Sequence, residues 1–208
     1  MLEIIKPMDI EKRSFEIITE LLGDTKIAPE NELVVKRVIH TSADFDYAQN
    51  LVFSEGAVAR GIGAPRSGGD IVTDTQMARA GINKTIQGKL GGEVHCFMSD
   101  PDVAAEAKAR GITRAIVSME KAATLEKPCI FAIGNAPTAL IAIKELMEAG
   151  KLHPALIIGV PVGFVNVVES KEEIIEANLA PYIVARGRKG GSNVAAAICN
   201  AMLYQITR

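Results

Sequence analysis

Tryptophan is absent from this 208-residue chain, and aromatic residues make up only 4% of it. Base stacking and aromatic-cage recognition are therefore poor expectations for its main activity. A strong charge of either sign is also missing. The net charge is -2 and no long basic run occurs, so nucleic acid is not an expected partner. No run of about 18 apolar residues exists, which argues against a membrane span. The opening Met1-Leu2-Glu3-Ile4-Ile5-Lys6-Pro7 has no apolar signal core, and a cytoplasmic protein is expected. Cysteines are few. Cys96, Cys129 and Cys199 match no zinc or redox spacing and read as small buried hydrophobes in a reducing compartment.

Several catalytic signatures are missing too. Gly61-Ile62-Gly63 lacks the third glycine of a dinucleotide fingerprint, and it precedes a strand where the fingerprint follows one. No Gly-Lys-Ser/Thr phosphate loop and no Gly-x-Ser-x-Gly nucleophile elbow occur. No two of the three histidines have metal-ligand spacing. Neither a metal nor a cofactor is expected.

What is present is an ordinary globular composition, 48% hydrophobic and 23% charged, at a length that fits one domain over residues 1–208. Residues 9–23 read as a helix, with Asp9 able to cap its start and Gly23 able to end it. Ile10, Ser14, Ile17, Ile18 and Leu21 share one face, a buried-looking stripe in which Ser14 is the polar member. A second helix runs from about Pro29. Tyr47 to Gly63 reads as a further helical region, and Gly63 to Gly69 as a loop. Asp70 to Thr73 is a short strand, and Asp74 starts a short helix. From Val94 onward strands and helices alternate. The strands are Val94–Met98, Cys129–Ile133, Ala155–Val160 and Tyr182–Ala185. Thr113 caps a helix from Arg114, and a last helix ends near Gln205.

Short, continuously apolar strands separated by helices predict an α/β fold: three layers around a mostly parallel five-stranded sheet with right-handed crossovers. Ligands in this class sit beyond the carboxyl ends of the strands. The segments found there include Gly134-Asn135-Ala136-Pro137-Thr138, Pro161-Val162-Gly163-Phe164 and Arg186-Gly187-Arg188-Lys189-Gly190-Gly191-Ser192. Their glycines, small polar residues and arginines suit a ligand-facing rim. Gly187 to Ser192 is the nearest thing to an anion-binding glycine loop.

Glu32 to Phe45 holds the sharpest candidate. Arg37 and His40 are three apart and share a helix face, and Asp44 lies four beyond His40, within reach of the ring if the helix continues. Imidazole is the side chain most readily poised for proton transfer near neutral pH. A cation at a helix C-terminus is also favourable in itself, so the pattern alone leaves His40 between a helix-end histidine and a catalytic acid. His95 lies inside a strand and His153 in a turn, and both read as structural. Arg13, Arg37, Arg66, Arg114, Arg186 and Arg188 lie at helix or loop edges. Singly each reads as solvated surface. Together with helix-start N–H groups they would suit a ligand bearing several carboxylates.

At this point the chain resembles the precorrin-8X methylmutase family of cobalamin biosynthesis, whose anaerobic-pathway members act on cobalt-precorrin-8. The resemblance runs nearly end to end. It is carried by Glu11-Lys12-Arg13-Ser14-Phe15, Arg37-Val38-Ile39-His40, Ile71-Val72-Thr73-Asp74 and Gly111-Ile112-Thr113-Arg114. It continues through Ala132 to Leu140, Gly159 to Val165, Glu169-Ser170-Lys171 and Val184 to Ser192. It implies a flavodoxin-like sheet, a methyl shift from C11 to C12 of the corrinoid ring with no cosubstrate, and a homodimer with shared active sites. It also implies His40 as the catalytic proton donor or acceptor, with Ser14, Arg37 and Arg114 as substrate contacts. Asn83 stands where some relatives have Thr, and either can hydrogen-bond a ring substituent. Asn135, Thr138, Arg186 and Arg188 complete the candidate contacts. A [1,5]-sigmatropic shift needs a shaped pocket and one placed proton, not a nucleophile. Two other readings stay open: a non-catalytic corrinoid binder or carrier, and a flavin or nucleotide binder argued from fold alone.

Overall fold

The computed structural model describes Lys6 and residues 9–207. Residues 1–5 and 7, which carry the reading of the opening segment, lie outside the described residues. The elements in chain order begin with α1 (Ile10–Leu22), α2 (Glu32–Ser42), α3 (Tyr47–Asn50), β1 (Leu51–Phe53) and α4 (Ala57–Arg66). Next come β2 (Asp70–Thr73), α5 (Gln76–Gly81), α6 (Lys84–Lys89), β3 (Val94–His95), α7 (Pro101–Arg110) and α8 (Arg114–Ala122). The chain closes with β4 (Cys129–Ile133), α9 (Pro137–Glu148), β5 (Leu156–Gly159), α10 (Val167–Ala177), β6 (Tyr182–Ala185) and α11 (Ser192–Thr207).

Among the described residues the sheet has six strands, in the order β1-β6-β5-β4-β2-β3. All pairs are parallel except β1 with β6. Without β1, the parallel strands stand in the order second, first, third, fourth, fifth, which is the flavodoxin-like arrangement. Strand direction of growth therefore reverses between β2 and β4, the place where ligands bind in such sheets.

Every residue of β4, β5 and β6 is buried, because helices cover both faces. Alternation along each strand divides the core in two. Ile130, Ala132, Leu156, Ile158 and Ile183 pack with Val34, Val38, Ile39 and the apolar side of α11. Phe131, Ile133, Ile157 and Val184 pack on the other face with Met119, Leu140, Ile143 and Ile174 from α8, α9 and α10.

The expected five strands are thus six. The extra one, Leu51–Phe53, falls inside a segment that reads as helical, and three residues are too few to show a period. Gly63 to Arg66 finish α4, so the expected 63–69 loop shrinks to its last residues. The expected strand to Met98 stops at His95, and a single 3-10 turn follows over Phe97–Ser99. The stripe on α1 is corrected as well. Ile18 is buried, but Ile10, Ile17 and Leu21 are exposed. Asp9 makes no side-chain cap bond. The three cysteines are free and buried, as read.

Candidate active site

α2 is fixed by its inner face: Val34, Val35, Val38 and Ile39 are at most 2% exposed. Ala43 ends it in the left-handed conformation. That anchoring leaves Arg37 and His40 on the side that meets α1. Ser14 and the His40 Nδ1 share a hydrogen bond of 2.8 Å, and the Phe15 ring stacks on the imidazole at 5.6 Å between centroids. The ring of His40 is thereby held in one plane, and the Ser14 hydroxyl, which can donate or accept, serves Nδ1 in either tautomer. Among the described residues nothing bonds its other nitrogen, and the residue is exposed. Among the described residues the Ser14 hydroxyl makes no bond to a helix carbonyl.

Arg37 is buried, and both terminal nitrogens donate to the Glu11 carboxylate at 2.9 Å. Its guanidinium lies over the rings of Phe15 (4.9 Å) and Tyr204 (5.2 Å). A cleft of about 660 Å³ opens beside this cluster, with Glu11, Phe15, Arg37 and Tyr204 in its wall. Asp44 does not reach His40. Its carboxylate is held by Lys189 at 2.6 Å, which keeps it below the usual carboxylate range. Since Arg37 meets Tyr204 near the end of α11 while Asp44 meets Lys189 just before its start, α2 and α11 run antiparallel. The same contact brings the Arg186–Ser192 loop to the end of the helix that carries His40.

The rim at the carboxyl ends of the strands is pinned by two buried charges. Asp74, read as a helix start, is 1% exposed and accepts the N–H groups of Gly134 (2.8 Å), Asn135 (2.8 Å) and Ala136 (2.6 Å). Thr75 caps α5 in its place. Burial pushes the Asp74 carboxyl above the usual range, against the pull of those three donors. Lys171 is 0% exposed and donates to the carbonyls of Gly187 (2.8 Å) and Lys189 (2.9 Å). Burial lowers its ammonium to about 8. The glycine loop thus turns two carbonyls inward to a cation.

The expected contacts divide into groups. Ser14, Arg37 and His40 come together. Thr138 receives a hydrogen bond from Thr113 at 3.1 Å, beside Arg114 at the start of α8. Arg114 is exposed with no ion pair among the described residues. Asn135 is exposed on the turn after β4. Arg186 is exposed and pairs with Glu172 at 3.2 Å, while Arg188 lies over the Phe164 ring at 5.9 Å. Among the described residues Asn83 makes no bond to Ser14, Arg37 or His40. It caps α6 through Ile86, and its own N–H donates to Asn200. Sequence reading missed Glu11 as a partner of Arg37, Asp74 as the anchor of the 134–136 turn, and Lys171 as that of the glycine loop. The pairing of Glu11 with Arg37 spans two helices, and no local pattern signals it.

The family described as CbiC, Precorrin-8X methylmutase, matches residues 9–205 of this chain. The chain belongs to the precorrin-8X methylmutase family. It is an isomerase of cobalamin biosynthesis, of the kind that moves a methyl group within one molecule. A "Cobalt-precorrin-8 methylmutase" of Priestia megaterium is 48% identical over 95% of this chain and 88% of its own length. One of Salmonella typhimurium is 44% identical over 98% and 97%. The precorrin-8X methyl mutase structure from Thermus thermophilus superposes with a TM-score of 0.87 at 37% identity, over 96% of this chain and 98% of that one. Membership of the methylmutase family does not favour the carrier reading or the flavin and nucleotide reading. Among the described residues no helix is long and apolar enough to cross a membrane.

Proposed function

We propose that this chain moves the C11 methyl group of precorrin-8, or its cobalt complex, to C12, with His40 as the proton donor or acceptor. The observation that carries the reading is the Ser14–His40 bond at 2.8 Å with Phe15 stacked on the ring. An imidazole fixed in plane, with Nδ1 held by a hydroxyl that can donate or accept and the other nitrogen open, can deliver or take one proton at a defined ring position. Protonation there draws electron density and favours migration. It also selects the product tautomer, which is differential stabilisation of one arrangement over another. Arg114, Arg186 and Arg188 supply cations for the carboxylates of the substrate, and Asn135, Thr138 and Asn83 supply polar contacts. Arg37 meets a substrate carboxylate only if Glu11 gives way. His40→Ala should abolish turnover, followed by the visible spectrum, while the protein still binds corrinoid. A normally active His40→Ala enzyme would sink the role.

The reading extends to the assembly. Residues 1–208 act as one domain, in the cytoplasm, and two copies pair with shared sites. In support, Ile10 (54% exposed), Ile17 and Leu21 (66%) form a stripe at spacings of seven and four along α1, the helix that also carries Ser14. Phe164 and Val165 on the rim are also exposed. Apolar side chains so arranged are what a second copy would cover. A monomer in sedimentation equilibrium at micromolar concentration would contradict the pairing.

A further inference from the structure

The place where the sheet changes direction, between β2 and β4, is where a flavodoxin-like fold ordinarily takes a ligand anion on the N–H groups of a helix start. Here the turn after β4 leads into α9, a helix of 12 residues, and it offers three consecutive N–H groups. All three are already taken by the Asp74 carboxylate. The protein's own side chain fills the position of the anion. The N–H groups of Gly134, Asn135 and Ala136 are therefore not open to a substrate carboxylate, and the side chains of the turn are left to meet one.

The turn is also locked on both flanks. A Cβ at Gly134 would lie 2.8 Å from the Cα of Ser192 and 2.9 Å from the Gly191 carbonyl, so β4 and the start of α11 touch through backbone. Ser192 in turn shares a 2.7 Å hydrogen bond with Thr75, the residue after Asp74. On the other side Thr138, one residue into α9, receives the Thr113 hydroxyl at 3.1 Å. Thr113 accepts the Ile116 N–H and so sets the start of α8, where Arg114 stands.

We propose that Asp74 is a positioning residue: its carboxylate presets the turn that presents Asn135 and Thr138, and through Thr113 the start of α8 with Arg114, as one rigid edge of the corrinoid pocket. This rests on the assignment of Asn135 and Thr138 as substrate contacts. The group touches no substrate itself. It contributes by removing the freedom of a glycine- and asparagine-containing turn before the substrate arrives, and an edge already in place costs less to bind.

The test is steady-state kinetics of Asp74→Asn, alone and in an Asn135→Ala/Thr138→Ala background. Asparagine keeps the shape but turns an N–H2 group toward N–H donors and loses the charge. The expected result is a KM raised on the order of tenfold or more with kcat little changed, the pattern of lost uniform binding. In the Asn135→Ala/Thr138→Ala background that increment should vanish, because residues acting as one unit are not additive. An Asp74→Asn enzyme with normal KM and merely a lower active fraction would make Asp74 structural and overturn the proposal. Full additivity in the double background would overturn it as well, while leaving the substrate contacts standing. An unchanged KM in Asn135→Ala/Thr138→Ala itself would remove those contacts and the proposal with them. Should Asp74→Asn fail to fold, amide exchange in the wild-type protein decides. Protection of the Gly134, Asn135 and Ala136 amides that is the same with and without corrinoid supports a preset turn, and protection gained only on binding overturns it.

Discussion

Replacing Glu11 with Gln removes the charge that faces Arg37 and leaves a nearly isosteric amide. The Arg37 side chain is 11% exposed, against 37% for that of Glu11. Two hydrogen bonds of 2.9 Å join them. Charge-assisted bonds of this kind are worth about 1.5–3 kcal/mol, and breaking a fully buried pair costs about 3–5 kcal/mol. Solvent already screens the exposed third of Glu11, so the lower end applies, and we expect a loss of about 1–2 kcal/mol. For a domain of this size that is a fall of roughly 2–8 °C in the thermal midpoint. Arg37 stays sandwiched between Phe15 and Tyr204, so the guanidinium keeps its place in the cleft wall.

Stability and binding should then move in opposite directions. In the wild type, a substrate carboxylate reaches Arg37 only by displacing Glu11. In Glu11→Gln the competitor is neutral, and affinity for the polycarboxylate corrinoid should rise about five- to tenfold, roughly 1–1.4 kcal/mol. The assay is a titration of product corrinoid followed by visible absorbance, beside a thermal melt of the same samples. If affinity falls together with the melting temperature, Glu11 is itself part of the binding surface, and the exchange argument is refuted.

Lys171 predicts a pH dependence of stability. Its folded value is lowered by burial to about 8, from the ordinary lysine value of 10.5. Between those two values the unfolded chain holds the proton and the folded one does not. Stability from this group is therefore present above the unfolded value and lost as pH falls through about 8. Denaturant unfolding of wild type against Lys171→Met should show the wild type gaining up to about 1.4 kcal/mol per pH unit from pH 8 toward 10, and a difference that stays flat over that range would refute it. On the apolar stripe of α1, Ile17→Glu with Leu21→Glu should shift the sedimentation equilibrium toward monomer, and a pair of copies that withstands both charges must use another face.

The fold was legible where strands are continuous apolar runs. Cys129–Ile133 and Tyr182–Ala185 could be read to the residue because both sheet faces are covered and nothing but an apolar side chain fits. Leu51–Phe53 was not, since its strand state depends on pairing with β6, a partner about 130 residues later. The same distinction runs through the site. Arg37 and His40 share a face by helical arithmetic alone, and the Ser14 contact follows once α1 lies against α2. Asp74 and Lys171 were visible as residues and misread or passed over as physics. A buried charge declares itself only by what surrounds it: three N–H groups 60 residues downstream in one case, two carbonyls about 17 residues on in the other. The difference also separates two kinds of work. Of the groups that sequence reading could pick out, His40, Arg114, Asn135 and Arg188 are exposed and open to a ligand, while Arg37 is held by Glu11. The groups it could not assign face inward and hold the loops that carry Asn135, Arg186 and Arg188. Substitution at an open position should therefore change what is bound or turned over at little cost to the fold. Substitution at Asp74 or Lys171 should move several open residues at once, and its effects should fail to add to theirs.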